Sequence, residues 1–372
     1  MQSIQRASRL FAAALLSLCA AAQAQDLPVV SIQAVTGTAA FSGVHYKNAI
    51  RLAIDEVNAR GGVNGQKINL IERDNASDKG QAINLANQAI DRDNALLVLG
   101  PSTTADSVAV APIFNDRKTP FLSFATSEAI LKAGPWSLKM QQAPAAISPL
   151  MARYVLEKTP IRKVAIVFDR TNEGLIEYKN FFRDPFKAGG GTVATEEAVV
   201  SADSNFQPLA TKLKTQEVDA VYLGVYTEQA ANIIQQLSQS GLDKVRYLGP
   251  ITLASAKFIA MAGKAGEGTI TVSDYVPGLD HPLNKSFEAA FQARYGAAPD
   301  AWGASGYTLA QVAIAALKEA GPGPTREKVR DAFQKLRDVP IVSGSGLWNQ
   351  QDRRPQFGAV VQVVRDGKLV AQ

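Results

Sequence analysis

Short continuous apolar runs alternate along this chain with longer amphipathic stretches. Strands are predicted over 29–35, 67–72, 96–99 and 120–123, then over 163–168, 192–198, 220–223, 246–248 and 268–272, with a last one over 359–365. Helices are predicted between them over 43–60, 79–93, 104–115, 145–158, 175–188, 206–215, 228–240 and 254–261, and after them over 283–295, 304–320 and 325–336. A parallel strand covered on both faces reads as an unbroken apolar run. Regular strand–helix alternation therefore predicts an α/β chain with parallel sheets and helices on both faces.

The apolar periodicity breaks near Met140–Pro149 and restarts from its beginning, which predicts two similar doubly wound lobes. Two further irregular stretches, 273–282 and 343–355, give three connectors in all, the makings of a three-segment hinge over a cleft. The predicted division is 25–141 plus 274–351 for one lobe and 142–273 plus 352–372 for the other.

Two turns stand out. Leu96-Leu97-Val98-Leu99 stops in Gly100-Pro101-Ser102-Thr103-Thr104, and Pro120-Phe121-Leu122 stops in Ser123-Phe124-Ala125-Thr126-Ser127. Hydroxyl residues there can cap the following helices. They can also bind an anion, because the first N–H groups of a helix are unpaired and carry partial positive charge. Both readings use the same donors. Together the turns predict a small, neutral anion cradle.

The first 24 residues change the picture of where the protein works. Arg6 and Arg9 form a basic start, residues 10–20 are apolar, and Ala22-Gln23-Ala24 is a small-residue cleavage site: a secretory leader. Leu18 before Cys19 is too bulky for a lipidation site, so a free mature chain from Gln25 is expected, in the periplasm. Removing the leader takes away two arginines and no acids, lowering the formal charge from +5 to +3. That mild excess is dispersed, so no nucleic acid partner is expected. Cys19 is the only cysteine and His45 and His281 the only histidines. Disulfides, a thiol nucleophile and thiolate metal sites are thereby excluded from the mature chain, and no cofactor or metal is expected. No later apolar run approaches the ~18 residues of a membrane span.

Several segments carry a likeness: Asn58-Ala-Arg-Gly-Gly-Val-Asn-Gly65, Asp74-Asn-Ala-Ser-Asp-Lys-Gly-Gln-Ala82, Gly100-Pro101, Ser123-Phe-Ala-Thr126 and Tyr247-Leu-Gly-Pro250. In this order and spacing the chain resembles the periplasmic leucine/isoleucine/valine-binding proteins of ABC importers, which have the type I periplasmic binding fold. The resemblance covers nearly all of the mature chain. It implies a monomeric two-lobed receptor that traps a small solute and delivers it to a membrane permease. It also implies a carboxylate grip at Thr104, with Thr103 beside it, at the backbone of Phe124 and Ala125, and at Thr126.

The opposite wall departs from the family pattern. Where amino-acid binders keep a glutamate to pair with the ligand ammonium, this chain has Ile251. The family's aromatic in the 169–174 loop matches Glu173, beside Asn172; Glu173 is either a substitute ammonium partner or a solvated first-turn acid. Val225, with Tyr226 next to it, stands at the family's second-lobe tyrosine, and Ser42 where an aromatic often packs. Tyr275 is a hinge-side candidate; Trp136 and Trp302 are either cleft or core residues. The expected ligand is a carboxylate with an apolar body: a branched-chain amino acid, an aromatic acid or an oxo acid.

Among other function classes, an enzyme is disfavoured. No Gly-x-Gly-x-x-Gly or Walker loop follows a strand, and Gly37 and Gly43 bracket only a structural loop. No base, nucleophile and orienting group are assembled. A sensor of the same fold, acting through a separate partner protein, is the alternative.

Overall fold

The computed structural model describes residues 25–278, 280–342, 346–351 and 353–372; the expected leader, 1–24, lies outside the described residues, as do parts of the second and third connectors. Five strands form a parallel sheet in the order β2-β1-β3-β4-β5: β1 (Leu27–Gln33), β2 (Ile68–Asp74), β3 (Leu97–Leu99), β4 (Phe121–Ser123) and β5 (Ser137–Lys139). Between them run α1 (Ala40–Ala59), α2 (Lys79–Asp91), α3 (Thr104–Asp116) and the short α4 (Ala129–Lys132).

After α5 (Pro144–Lys158) the second sheet is built from β6 (Lys163–Asp169), β7 (Thr192–Val199), β8 (Ala220–Gly224), β9 (Arg246–Gly249) and β10 (Ile270–Ser273), with β13 (Val360–Arg365) and β14 (Lys368–Ala371) added at the end of the chain. Its order is β14-β13-β10-β9-β8-β6-β7. Helices α6 (Glu173–Ala188), α7 (Gln207–Gln216), α8 (Thr227–Gln239) and α9 (Ala256–Ala262) connect its parallel strands. Three further helices, α10 (Pro282–Tyr295), α11 (Ala301–Glu319) and α12 (Arg326–Lys335), pack on the first sheet, followed by the two-residue strands β11 (Trp348–Asn349) and β12 (Arg354–Pro355).

Strand alternation explains the double winding. Val29 joins the core shared with α1 and α11, whereas its neighbour Val30 joins the core under α2 and α3. In the second sheet Val164 and Ile166 face one core, Ala165 and Val167 the other. Successive side chains of a strand leave on opposite faces, so both must be covered. Helix α1 is buried on more than the single stripe its spacing predicts, because α11 covers the side away from the sheet. Gly43 lies in the first turn of that helix, where an added methyl would sit 1.8 Å from the Ala34 carbonyl oxygen, so the loop before it is structural.

The structure corrects the expected fold in three places. The second sheet is mixed: β13 is antiparallel to both β10 and β14, and Asp366-Gly367, both at positive φ, turn the hairpin. Strand β5 falls in a stretch with no strand-like pattern, since it has three residues and ends on a lysine. The break expected at Met140–Pro149 narrows to residues 140–143, because α5 begins with Pro144 in its first turn and carries Pro149 inside.

Candidate functional site

Both sheets present their carboxyl ends to one cleft. In each, the chain reverses direction beside the first strand, between β1 and β3 and between β6 and β8, the position where open α/β sheets leave a crevice. On the first side, Ser102 ties two strand ends together: its hydroxyl donates to Gln33 Oε1 (2.8 Å) and accepts the Ala34 N–H (3.0 Å). Thr103 is the N-cap of α3, accepting the Asp106 N–H at 3.1 Å. Thr104 is the first helical residue and caps nothing. Its Oγ1 accepts the Thr126 N–H at 3.0 Å and lies 3.2 Å from Thr126 Oγ1. Thr126 caps nothing either; Ser127 accepts the Ala129 N–H before α4. The Phe124 N–H donates to Pro101 O at 3.4 Å.

Behind the cradle stands an ion pair that its turn residues alone do not reveal. Lys139, fully buried at the end of β5, donates from Nζ to the Thr126 carbonyl oxygen (2.7 Å) and to Glu128 Oε1 (2.7 Å). Burial pulls its pKa below the ordinary lysine value, against the opposing pull of Glu128.

On the second side, Asn172 caps α6: Oδ1 accepts the Gly174 and Leu175 N–H groups, and Nδ2 donates to Tyr226 Oη at 2.8 Å. Gly174 lies directly against Thr104 and Thr126. The N-termini of α3 and α6 thus converge from opposite lobes, and their partial positive charges add. Ser127 Oγ donates to Glu177 Oε1 across the cleft at 2.5 Å, and burial raises the Glu177 carboxyl above its usual range.

Beside this contact is a cavity whose empty space is about 620 Å³, the solvent at its open mouth included. Its aromatic lining is Phe41, Tyr46, Phe124, Tyr178, Tyr226 and Trp302. Tyr46 stacks on Phe124 with centroids 3.5 Å apart at 14°, and Trp302 meets Tyr46 edge-on at 5.7 Å. Gln141 Nε2 donates to Tyr46 Oη at 3.3 Å. The Trp302 indole N–H and the Thr252 hydroxyl belong to lining residues and are buried without a protein partner. Glu228 is the acid among the lining residues; Lys257 binds it at 2.5 Å and also lies 4.7 Å from the centre of the Phe41 ring.

Of the residues singled out from the sequence, Ser42, Thr103, Thr104, Phe124, Thr126, Asn172, Tyr226 and Ile251 line this one cavity. Four do not. Ala125 is buried in the core under α3, and Val225 in the core of the second lobe, because the strand ends at Gly224 and the following turn sends Tyr226 to the cleft instead. Glu173 begins α6 with a buried, unpartnered Oε2 away from the cavity. Tyr275 is turned to α10, where its hydroxyl meets Asn284 Oδ1 (3.0 Å) and Glu288 Oε1 (2.7 Å). Trp302 lines the cavity, whereas Trp136 is buried beneath Arg330, whose guanidinium lies 4.4 Å from its ring. Sequence reasoning missed Tyr46, Tyr178, Gln141 and Glu228. Two of these had a signal: Tyr46 lies one turn after Ser42, and Tyr178 one turn after Gly174, so each shares a helix face with a cleft residue.

Among the described residues no group of His, Cys, Asp and Glu could hold a metal ion, and no helix is long and apolar enough to cross a membrane.

The family model described as periplasmic binding protein matches residues 27–368. The Leu/Ile/Val-binding protein of Escherichia coli K12 is 26% identical over 338 residues, spanning 89% of this chain and 88% of its own. A leucine-binding protein of Thermotoga maritima superposes with a TM-score of 0.86 at 25% identity, covering 93% of this chain and 97% of that one. The solute-binding protein of an ABC transporter of Rhodopseudomonas palustris BisB5, solved with 3,4-dihydroxybenzoic acid, gives a TM-score of 0.84 at 25% identity, covering 94% and 97%. The chain belongs to the periplasmic binding protein family, a family of solute-binding proteins rather than enzymes, and has its type I fold.

Proposed function

We propose that this chain is the periplasmic solute-binding protein of an ABC importer, exported by residues 1–24, and that it traps an aromatic carboxylate and hands it, as a monomer, to a membrane permease. The lobes 25–141 plus 274–351 and 142–273 plus 352–372 close over the ligand. The observation that carries the reading is the threonine pair Thr104–Thr126, met by two helix N-termini, with a buried lysine behind it. Hydroxyl and N–H donors in that field suit a carboxylate, since charge-assisted hydrogen bonds exceed neutral ones. Six aromatic side chains in the lining suit a flat apolar body. Ile251, in place of an acid, leaves an α-ammonium without a partner there. The dihydroxybenzoate in the Rhodopseudomonas relative is in keeping with this ligand class.

One observation favours a branched-chain amino acid instead: Glu228 lines the cavity and could exchange Lys257 for a ligand ammonium. The names of the curated relatives point the same way. Thermal denaturation against benzoate, 3,4-dihydroxybenzoate, leucine and 2-oxoisocaproate separates the two, because a ligand that binds only the native state raises the melting temperature. The benzoates are expected to raise it. A shift with leucine alone reverses the assignment, and a shift with none of these carboxylates removes the carboxylate reading.

A further inference from the structure

We propose that Lys139 is the residue that gives the Thr104–Thr126 grip its selectivity for anions; the inference rests on the carboxylate reading above. Lys139 is not itself a lining residue of the cavity; it reaches the lining only through the carbonyl oxygen of Thr126. It acts from behind, as a positioning and charge-supplying residue. The register of β4 and β5 sets it beside Ser123, at the carboxyl end of the sheet, next to the turn that carries Thr126. Its ammonium holds the Thr126 carbonyl oxygen on one side of that residue at 2.7 Å, while the N–H and hydroxyl of Thr126 engage Thr104 on the other.

The charge balance around the ammonium is uneven. Lys139 has no exposed surface, whereas the side chain of its partner Glu128 is 45% exposed. Solvent screens the carboxylate and not the ammonium, so the pair leaves a net positive field on its buried side. Arg354 and Glu177 are the other charged groups that act on Lys139. Glu177 faces it from α6 and is held by Ser127; burial raises its carboxyl above the usual range, against the lowering pull of that hydrogen bond and of Lys139. A buried ammonium is costly to keep, and two oxygen acceptors are what the protein provides for it. A strut for the Thr126 turn needs only a donor. The ammonium adds to that strut a charge that only the exposed Glu128 side chain pairs with directly.

Two substitutions separate charge from strut. Lys139→Gln keeps a donor for the Thr126 carbonyl and removes the charge. Glu128→Gln keeps an acceptor for Lys139 on an exposed side chain and removes the opposing charge. Isothermal titration of the full mature chain with benzoate, 3,4-dihydroxybenzoate and leucine is the measurement. K139Q is expected to weaken the carboxylate that binds by about tenfold or more, and E128Q to tighten it about threefold. A purely structural lysine predicts no tightening in E128Q, so the sign of that change decides the matter even if K139Q does not fold. Binding in E128Q equal to or weaker than wild type overturns the inference while leaving the carboxylate reading intact. If the wild-type chain binds none of the three carboxylates, the reading itself falls, and this inference with it.

Discussion

A methyl group placed on Gly174 would lie 2.4 Å from Thr126 Oγ1 and 2.6 Å from Thr104 Oγ1. The first turn of α6, in the second lobe, therefore rests against the threonine pair of the first with no room for a side chain. Gly174 sits in a helix, where alanine is favoured over glycine by about 0.5–1 kcal/mol. Gly174→Ala is thus expected to hold the lobes apart without weakening the fold. Small-angle scattering of the ligand-free variant should give a larger radius of gyration, at an undiminished melting temperature. An unchanged radius would mean that the close contact is not kept in solution.

Thr104→Val preserves shape and removes the oxygen that accepts the Thr126 N–H. It is expected to reduce affinity for a carboxylate by about 1–3 kcal/mol, the cost of a hydrogen bond lost to a charged group together with a donor left unpaired. Titration calorimetry with the ligand identified by the thermal panel measures it. Equal affinity would limit Thr104 to a packing role.

The neighbouring threonine does different work. Thr103 caps α3 through its hydroxyl, and Thr103→Ala should lower unfolding free energy by about 1 kcal/mol in urea titration. A loss close to zero would mean that water replaces the cap at no cost.

Asp274 follows β10 with Oδ1 buried and unpartnered, and burial pushes its carboxyl up to about 6. The folded value lies above the unfolded value of about 3.9, so the fold favours the protonated acid. Its contribution to stability is complete below about pH 4 and is lost as pH rises through about 6. Asp274→Asn should remove that decline and be the more stable protein at pH 8, by at most about 3 kcal/mol. Melting temperatures of both proteins from pH 4 to 8 provide the check; parallel curves would show that the carboxyl is hydrated in solution.

Much of this architecture could be read along the chain. Continuous apolar runs such as Leu97-Val98-Leu99 mark parallel strands, because burial on both faces leaves no polar positions. Hydroxyls after such runs mark turns with exposed donors, and those at Thr103, Thr104 and Thr126 do reach the cleft. Strand β5 carried no such mark. Its three residues include a lysine that is stable in the interior only because Thr126 and Glu128, in the preceding turn, supply its acceptors.

The alternation of elements, the two-lobed plan and the hydroxyl-rich strand ends were set by local pattern, because strand and helix periods act over a few residues. Tertiary structure alone decided that Tyr226 and not Val225 faces the cleft, and that Gly174 rather than Glu173 meets the threonines. It also decided that the cradle has a buried cation at its back. Each of these depends on where one lobe lies against another or where a strand stops. Such relations lie between elements rather than within one, and no local period carries them.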